Sequence, residues 1–118
     1  MLRTVLFIAA LAAPATAQAA ELWCMPDTLC NATGCKPTTN EEVSVRLKDV
    51  KASSTTLRTH AEDVPMSRSR DGDVVQWQGV NATGGAEFLA WRQSDMEFTY
   101  LIRSEGREYS ATGLCEVQ

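Results

Sequence analysis

Apolar and polar side chains alternate along several short stretches of this chain. In the run 41–50, Val43, Val45 and Leu47 interleave with Ser44, Arg46 and Lys48, the period-two signature of a strand with one buried face and one wet face. The run 73–80 repeats it, with Val75 and Trp77 against Gln76 and Gln78. At 96–103, Met96, Phe98, Tyr100 and Ile102 oppose Glu97, Thr99 and Arg103, with Leu101 as the exception. The final stretch, 107–117, puts Tyr109, Ala111, Cys115 and Val117 on one face, provided no bulge intervenes.

Turn formers separate these runs: RDGD at 70–73, NATGG at 81–85, QSD at 93–95 and SEG at 104–106. Asp71-Gly72 is the strongest of them, because a two-residue hairpin turn needs positive φ, which these residues tolerate. Two weaker strands are expected at 54–60, where threonines favour extension, and at 64–70, where Pro65 points to an edge position. Residues 36–40, KPTTN, read as a loop. No helical stripe interrupts the series. With ELWCM at 21–25 as the first strand, the chain predicts an all-β fold, a small antiparallel meander of about eight short strands forming a barrel or a sandwich.

The N-terminus has a different character. Arg3 is followed by an apolar run from Val5 to Ala13, then Pro14 and small residues spaced as in A-x-A, the layout of a secretory signal peptide. The run is shorter than the roughly 20 residues that span a bilayer. Cleavage could follow Ala17, Ala19 or Ala20, with Ala19 favoured, so residues 1–19 are expected to leave and 20–118 to form a single domain. The protein is then exported, periplasmic or extracellular, and not membrane-spanning once cleaved.

That compartment decides what the four cysteines can be. Cys24, Cys30, Cys35 and Cys115 include no C-x2-C pair, so zinc-site and thioredoxin spacings are both missing. An even number of cysteines in a small exported domain predicts two disulfides. Three connectivities are open. The intervening Asn31, Ala32, Thr33 and Gly34 turn the chain back and favour Cys30 with Cys35. Cys24, on the first strand, would then meet Cys115 on the last.

The formal charge is −4, one unit more negative once Arg3 is lost. The only basic cluster, SRSR at 67–70, runs straight into Asp71 and Asp73. Nucleic acid is therefore not an expected partner. No cofactor or metal is expected, and candidate catalytic groups are sparse. His60 is the one histidine and sits in a polar, turn-like setting. Glu41 and Glu42, like Glu62 and Asp63, would point to opposite faces of an extended chain. Asp71-Gly72-Asp73 lacks the further ligands of a calcium loop. The chain is not expected to be an enzyme. Asn31 and Asn81 both satisfy N-x-T, but a glycan within the Cys30–Cys35 loop would be crowded.

Most of the aromatic residues, Trp77, Trp91, Phe88, Phe98, Tyr100 and Tyr109, are expected in the core, and Trp23 over a disulfide. An alternative places Trp91 and Tyr100 at the mouth of a barrel, holding an apolar ligand. The segment 104–110, SEGREYS, resembles the Ser-Gly-x-x-Tyr-Ser stretch of the periplasmic C-type lysozyme inhibitors through Ser104, Gly106, Tyr109 and Ser110. Glu105 is an insertion relative to that stretch, and the chain ends eight residues after Ser110, where the inhibitors continue into further strands. Seven residues at a different spacing do not assign the chain to that family. The resemblance implies a mode of action, the insertion of a loop into the cleft of a cationic enzyme. Two functions are thus expected. One is a protein-binding or envelope-associated interaction module, inhibitor-like, steered by its charge to a basic partner, with Trp91, Tyr100, Ser104 and Tyr109 as contact candidates. The other is a small-ligand carrier with an apolar barrel interior. At this size the barrel is expected to be filled by its own side chains, which weighs against the carrier.

Overall fold

The computed structural model describes residues 19–39 and 44–118. Apart from Ala19, the expected signal peptide lies outside the described residues, as do Asn40, Glu41, Glu42 and Val43. Among the described residues nine strands follow in chain order: β1 Leu22–Asn31, β2 Gly34–Pro37, β3 Val45–Leu47, β4 Ser54–Arg58, β5 Asp63–Asp71, β6 Val74–Val80, β7 Ala86–Arg92, β8 Glu97–Ser104 and β9 Arg107–Val117. From β3 to β9 each strand pairs antiparallel with the next, and β1 pairs antiparallel with β2, β3 and β9. Eight strands, β1 and β3 to β9, close into a barrel. The short β2 extends β1 as a hairpin at one end. Between the two expected architectures, the β1–β9 pairing selects the barrel, and closure leaves no long open edge.

Alternation sets which side chains enter the barrel. Leu22 and Cys24 from β1, Val45 and Leu47 from β3, Leu57, Val64 and Met66, Val75 and Trp77, Leu89 and Trp91, and Phe98 and Tyr100 all point inward and are buried. The Cys24–Cys115 disulfide joins directly opposed residues of β1 and β9 inside this core. Cys30–Cys35 joins opposed residues of β1 and β2 on the surface. Both pairings match the order that turn chemistry favoured.

Several expectations need correction. Pro65 does not put β5 on an edge, because β5 pairs with β4 and β6. It precedes Met66, the first residue of β5 paired with β6, so no ladder bond is asked of its missing N–H on that side. Lys36 and Pro37 belong to β2 and not to a loop. The β5–β6 turn is Gly72-Asp73, one position later than expected, with Gly72 at φ 62°. Met96 is 41% exposed, because it precedes β8 in the left-handed region at φ 66°. Val117 is exposed at the end of β9. Among the described residues the one register break falls on β1, between Pro26 and Thr28. There the chain passes so close to Gly113 that a Cβ would stand 2.3 Å from the Met25 carbonyl oxygen. Trp23 faces outward, with the Arg46 guanidinium carbon 3.9 Å from its ring centre, and does not cover a disulfide.

Candidate binding site at the barrel mouth

The two ends of the barrel are filled differently. At the end where β7 finishes and β8 begins, Trp91 and Phe98 are paired across the strands and both are buried. At the opposite end lies an open cavity of about 740 Å³, walled by Leu29, the Cys30–Cys35 staple, Ile102 and Tyr109, with Glu62, Glu87 and Tyr100 supplying polar groups. Its size falls within the range of small-molecule sites. The expectation that side chains fill the whole barrel holds for one end and fails at this one.

Glu87 explains much of the difference. On β7 the inward series is Glu87, Leu89 and Trp91, so a carboxylate occupies a position that alternation reserves for a core residue. It is 4% exposed. The Tyr100 hydroxyl, from the neighbouring β8, donates to Glu87 Oε1, and Asn81 Nδ2 donates to Glu87 Oε2 at 2.8 Å. Burial, followed by the adjacent Glu87 carboxylate and the charge of Glu62, pushes the Tyr100 hydroxyl well above its ordinary pKa. Tyr100 therefore stays a donor. Among the described residues no Lys, Arg or His forms an ion pair with Glu87. A buried carboxylate held by neutral donors alone is unusual, since buried charges are normally paired.

The turn 81–85 holds Asn81 in place. Its Oδ1 accepts from the Gly85 N–H at 2.8 Å, the Thr83 N–H at 3.1 Å and the Thr83 hydroxyl at 2.9 Å. With the oxygen so occupied, the amide nitrogen must face Glu87. Asn31 makes the same local contacts with the Thr33 N–H and hydroxyl, so the repeated NAT triplet is a repeated turn geometry. The β4–β5 turn is closed by Thr59 and Glu62, and Glu62 Oε1 accepts from the Ala82 N–H at 2.8 Å, tying two rim turns together. His60 is exposed on this rim.

The expected contact residues separate. Tyr100 lines the cavity and is buried at 7% exposure. Tyr109 also lines it but is 44% exposed, so it is rim and not core. Trp91 is buried away from the mouth and does not line the cavity, and Phe88 is only half-buried on the outward face of β7. Ser104 is half-buried beside the β8–β9 turn, where it pairs with Arg107, and it lies outside the cavity lining. Glu87 and Asn81 were not singled out as contacts, although the strand 86–92 read at period two would have placed Glu87 inward. Among the described residues no cluster of His, Cys, Asp and Glu could hold a metal ion, and no helix is long and apolar enough to cross a membrane. No family model, curated protein or solved structure matches the chain.

Proposed function

We propose that this is a non-enzymatic binding domain, exported and working outside the cytoplasm, that holds a small ligand in the open end of its barrel. The observation that carries this reading is the cavity at one end of an otherwise packed barrel, with a buried carboxylate in its lining in place of a core side chain. Eight-stranded barrels have interiors just wide enough to be filled by side chains or to hold one small ligand. The two rim turns tied through Glu62 and Ala82 and the surface disulfide at the mouth support a site built in advance of binding. The export assignment rests on the N-terminal pattern and on the disulfides. The test is to purify the protein from an oxidising export compartment and identify bound small molecules by native mass spectrometry, beside an Ile102→Trp variant that fills the cavity. A ligand carried by the wild type and lost in the variant supports the reading. Equal loading of both refutes the mouth as the site.

A second reading, an interaction module for a basic protein, is favoured by one further feature. The β1–β2 hairpin and the β8–β9 hairpin flank a depression of about 600 Å³, lined by Cys30–Thr33 and Gly106–Ser110. It includes three of the four residues that resemble the lysozyme-inhibitor stretch, Gly106, Tyr109 and Ser110. The negative net charge favours a cationic partner for the molecule as a whole. Salt-sensitive capture that survives Ile102→Trp but is lost on substituting Tyr109 would support this reading over the first.

A further inference from the structure

We infer that the ligand class of the barrel mouth is a compact ammonium ion on a hydrocarbon body, with Glu87 as its counter-charge. The inference rests on the mouth being the binding site and names what that site selects. Glu87 is buried, faces the cavity and has no cationic partner among the described residues. A carboxylate offers about four acceptor positions. Tyr100 and Asn81 are its only hydrogen-bond donors among the described residues, one on each oxygen, so acceptor capacity remains on both. A second carboxylate, Glu62, lies at the same mouth and adds to the negative field that Tyr100 feels. Among the described residues the charged or titratable groups facing the cavity are Glu62, Glu87, Tyr100, Tyr109, His60 and Lys36, and Lys36 is exposed on β2 at the rim.

The walls set the rest of the ligand. Leu29, Ile102, the Cys30–Cys35 staple and the Tyr109 ring offer apolar surface, suited to a short alkyl or aromatic body. Among the described residues Glu87 is the one charged group of the lining that is buried, so a bound amine would enter head first, its tail toward the rim. An anionic ligand would bring like charge against Glu87 and Glu62. A neutral ligand of the same shape would fill the walls but leave the buried carboxylate without a counter-charge.

The test uses the full, disulfide-bonded protein and three probes of matched body: n-hexylamine, hexanol and hexanoate, titrated calorimetrically at neutral pH. We expect hexylamine to bind at least about tenfold more tightly than hexanol, as charge-assisted hydrogen bonds require, and hexanoate not to bind. Glu87→Gln should erase the preference for the amine, whereas Glu97→Gln, which removes an exposed carboxylate at the filled end of the barrel, should leave it unchanged. If hexanol binds as tightly as hexylamine and both are lost in Ile102→Trp, the ammonium assignment is overturned while the mouth remains a binding site. If none of the three binds the wild type, both the assignment and the site reading fall.

Discussion

The Glu87–Tyr100 pair sets up a mutational cycle that measures how strongly the buried carboxylate and its hydroxyl donor are coupled. Tyr100→Phe removes a single oxygen and leaves Glu87 Oε1 buried without its donor. Hydrogen bonds to charged groups contribute about 1.5–3 kcal/mol, so the variant should lose about that much. Glu87→Gln should also be costly. One amide oxygen can replace Oε1 or Oε2 as acceptor, but the other position becomes an NH2. If that NH2 faces Asn81 Nδ2, two donors meet, and Asn81 cannot turn over without giving up the Gly85 and Thr83 donors on its oxygen. If it faces Tyr100, the hydroxyl loses its acceptor. The expected loss is about 1–3 kcal/mol. The double variant Glu87→Gln/Tyr100→Phe closes the cycle, taking away the donor hydroxyl and the charge it donates to while the amide oxygen can still accept from Asn81 Nδ2. Each single change disturbs the same Tyr100–Glu87 hydrogen bond, so the double variant should lose less than the sum of the two single losses. Urea unfolding followed by the fluorescence of buried Trp77 and Trp91 reads all three, and a loss of 2 kcal/mol moves the midpoint by about 1 M. Additive losses in the double variant, or a Tyr100→Phe cost below about 0.5 kcal/mol, would refute the coupling.

Other expectations follow from the same geometry. Replacing Cys24 and Cys115 by alanine removes a cross-link between residues 91 apart, worth about 4.6 kcal/mol in the chain-entropy relation, whereas the five-residue separation of Cys30 and Cys35 gives about 2 kcal/mol; parallel urea curves giving the larger loss to Cys30 and Cys35 would contradict this. Gly113→Ala should destabilise by more than about 2 kcal/mol, because its Cβ would meet backbone at the β1 bulge, and a melting temperature within a degree or so of wild type would show that the close approach is relieved cheaply. Glu105 and Gly106 form a two-residue turn with φ 53° and 77°, so Glu105→Asn should stabilise by about 0.5 kcal/mol, read in the same unfolding assay. Tyr100 is held neutral in the fold well above its ordinary value, so its stabilisation is complete below about pH 10 and declines as pH rises beyond it, where the unfolded chain loses the proton first; the decline should vanish in Tyr100→Phe.

The strands with clean alternation were legible because a single physical fact governs them: one face packs and the other is wet. β6, with Val75 and Trp77 inside and Gln76 and Gln78 outside, follows its sequence pattern residue by residue, and so does Phe98 with Tyr100 on β8. The turns at 81–85, 93–95 and 104–106 followed from residues that tolerate bent backbone. Closure was legible through the cysteines, which required the first and last strands to meet. The departures arise where long-range geometry overrides local pattern. Pro65 suggests an edge only until the pairing with β6 is seen to begin one residue later, at Met66, and the bulge at Pro26–Thr28 depends on β9 lying opposite. The mouth was hidden for a similar reason. Alternation identifies an inward position but not its height along the barrel axis, so Trp91 and Tyr100 looked equivalent until the register placed one inside the closed end and the other at the cavity. Glu87 does not stand out in the sequence because it has no acidic neighbour and acts alone at a core position.

The most direct measurement of the central claim is a methyl-resolved NMR titration of the exported, disulfide-bonded protein with n-hexylamine. We expect saturable shifts at Leu29, Ile102 and Ala111, which line the mouth, with Leu57 and Val75 in the filled part of the barrel unmoved. Shifts confined to the outer face, at the exposed neighbours Met25 and Leu114, or no saturable shift at any methyl, would contradict a binding site in the open end of the barrel.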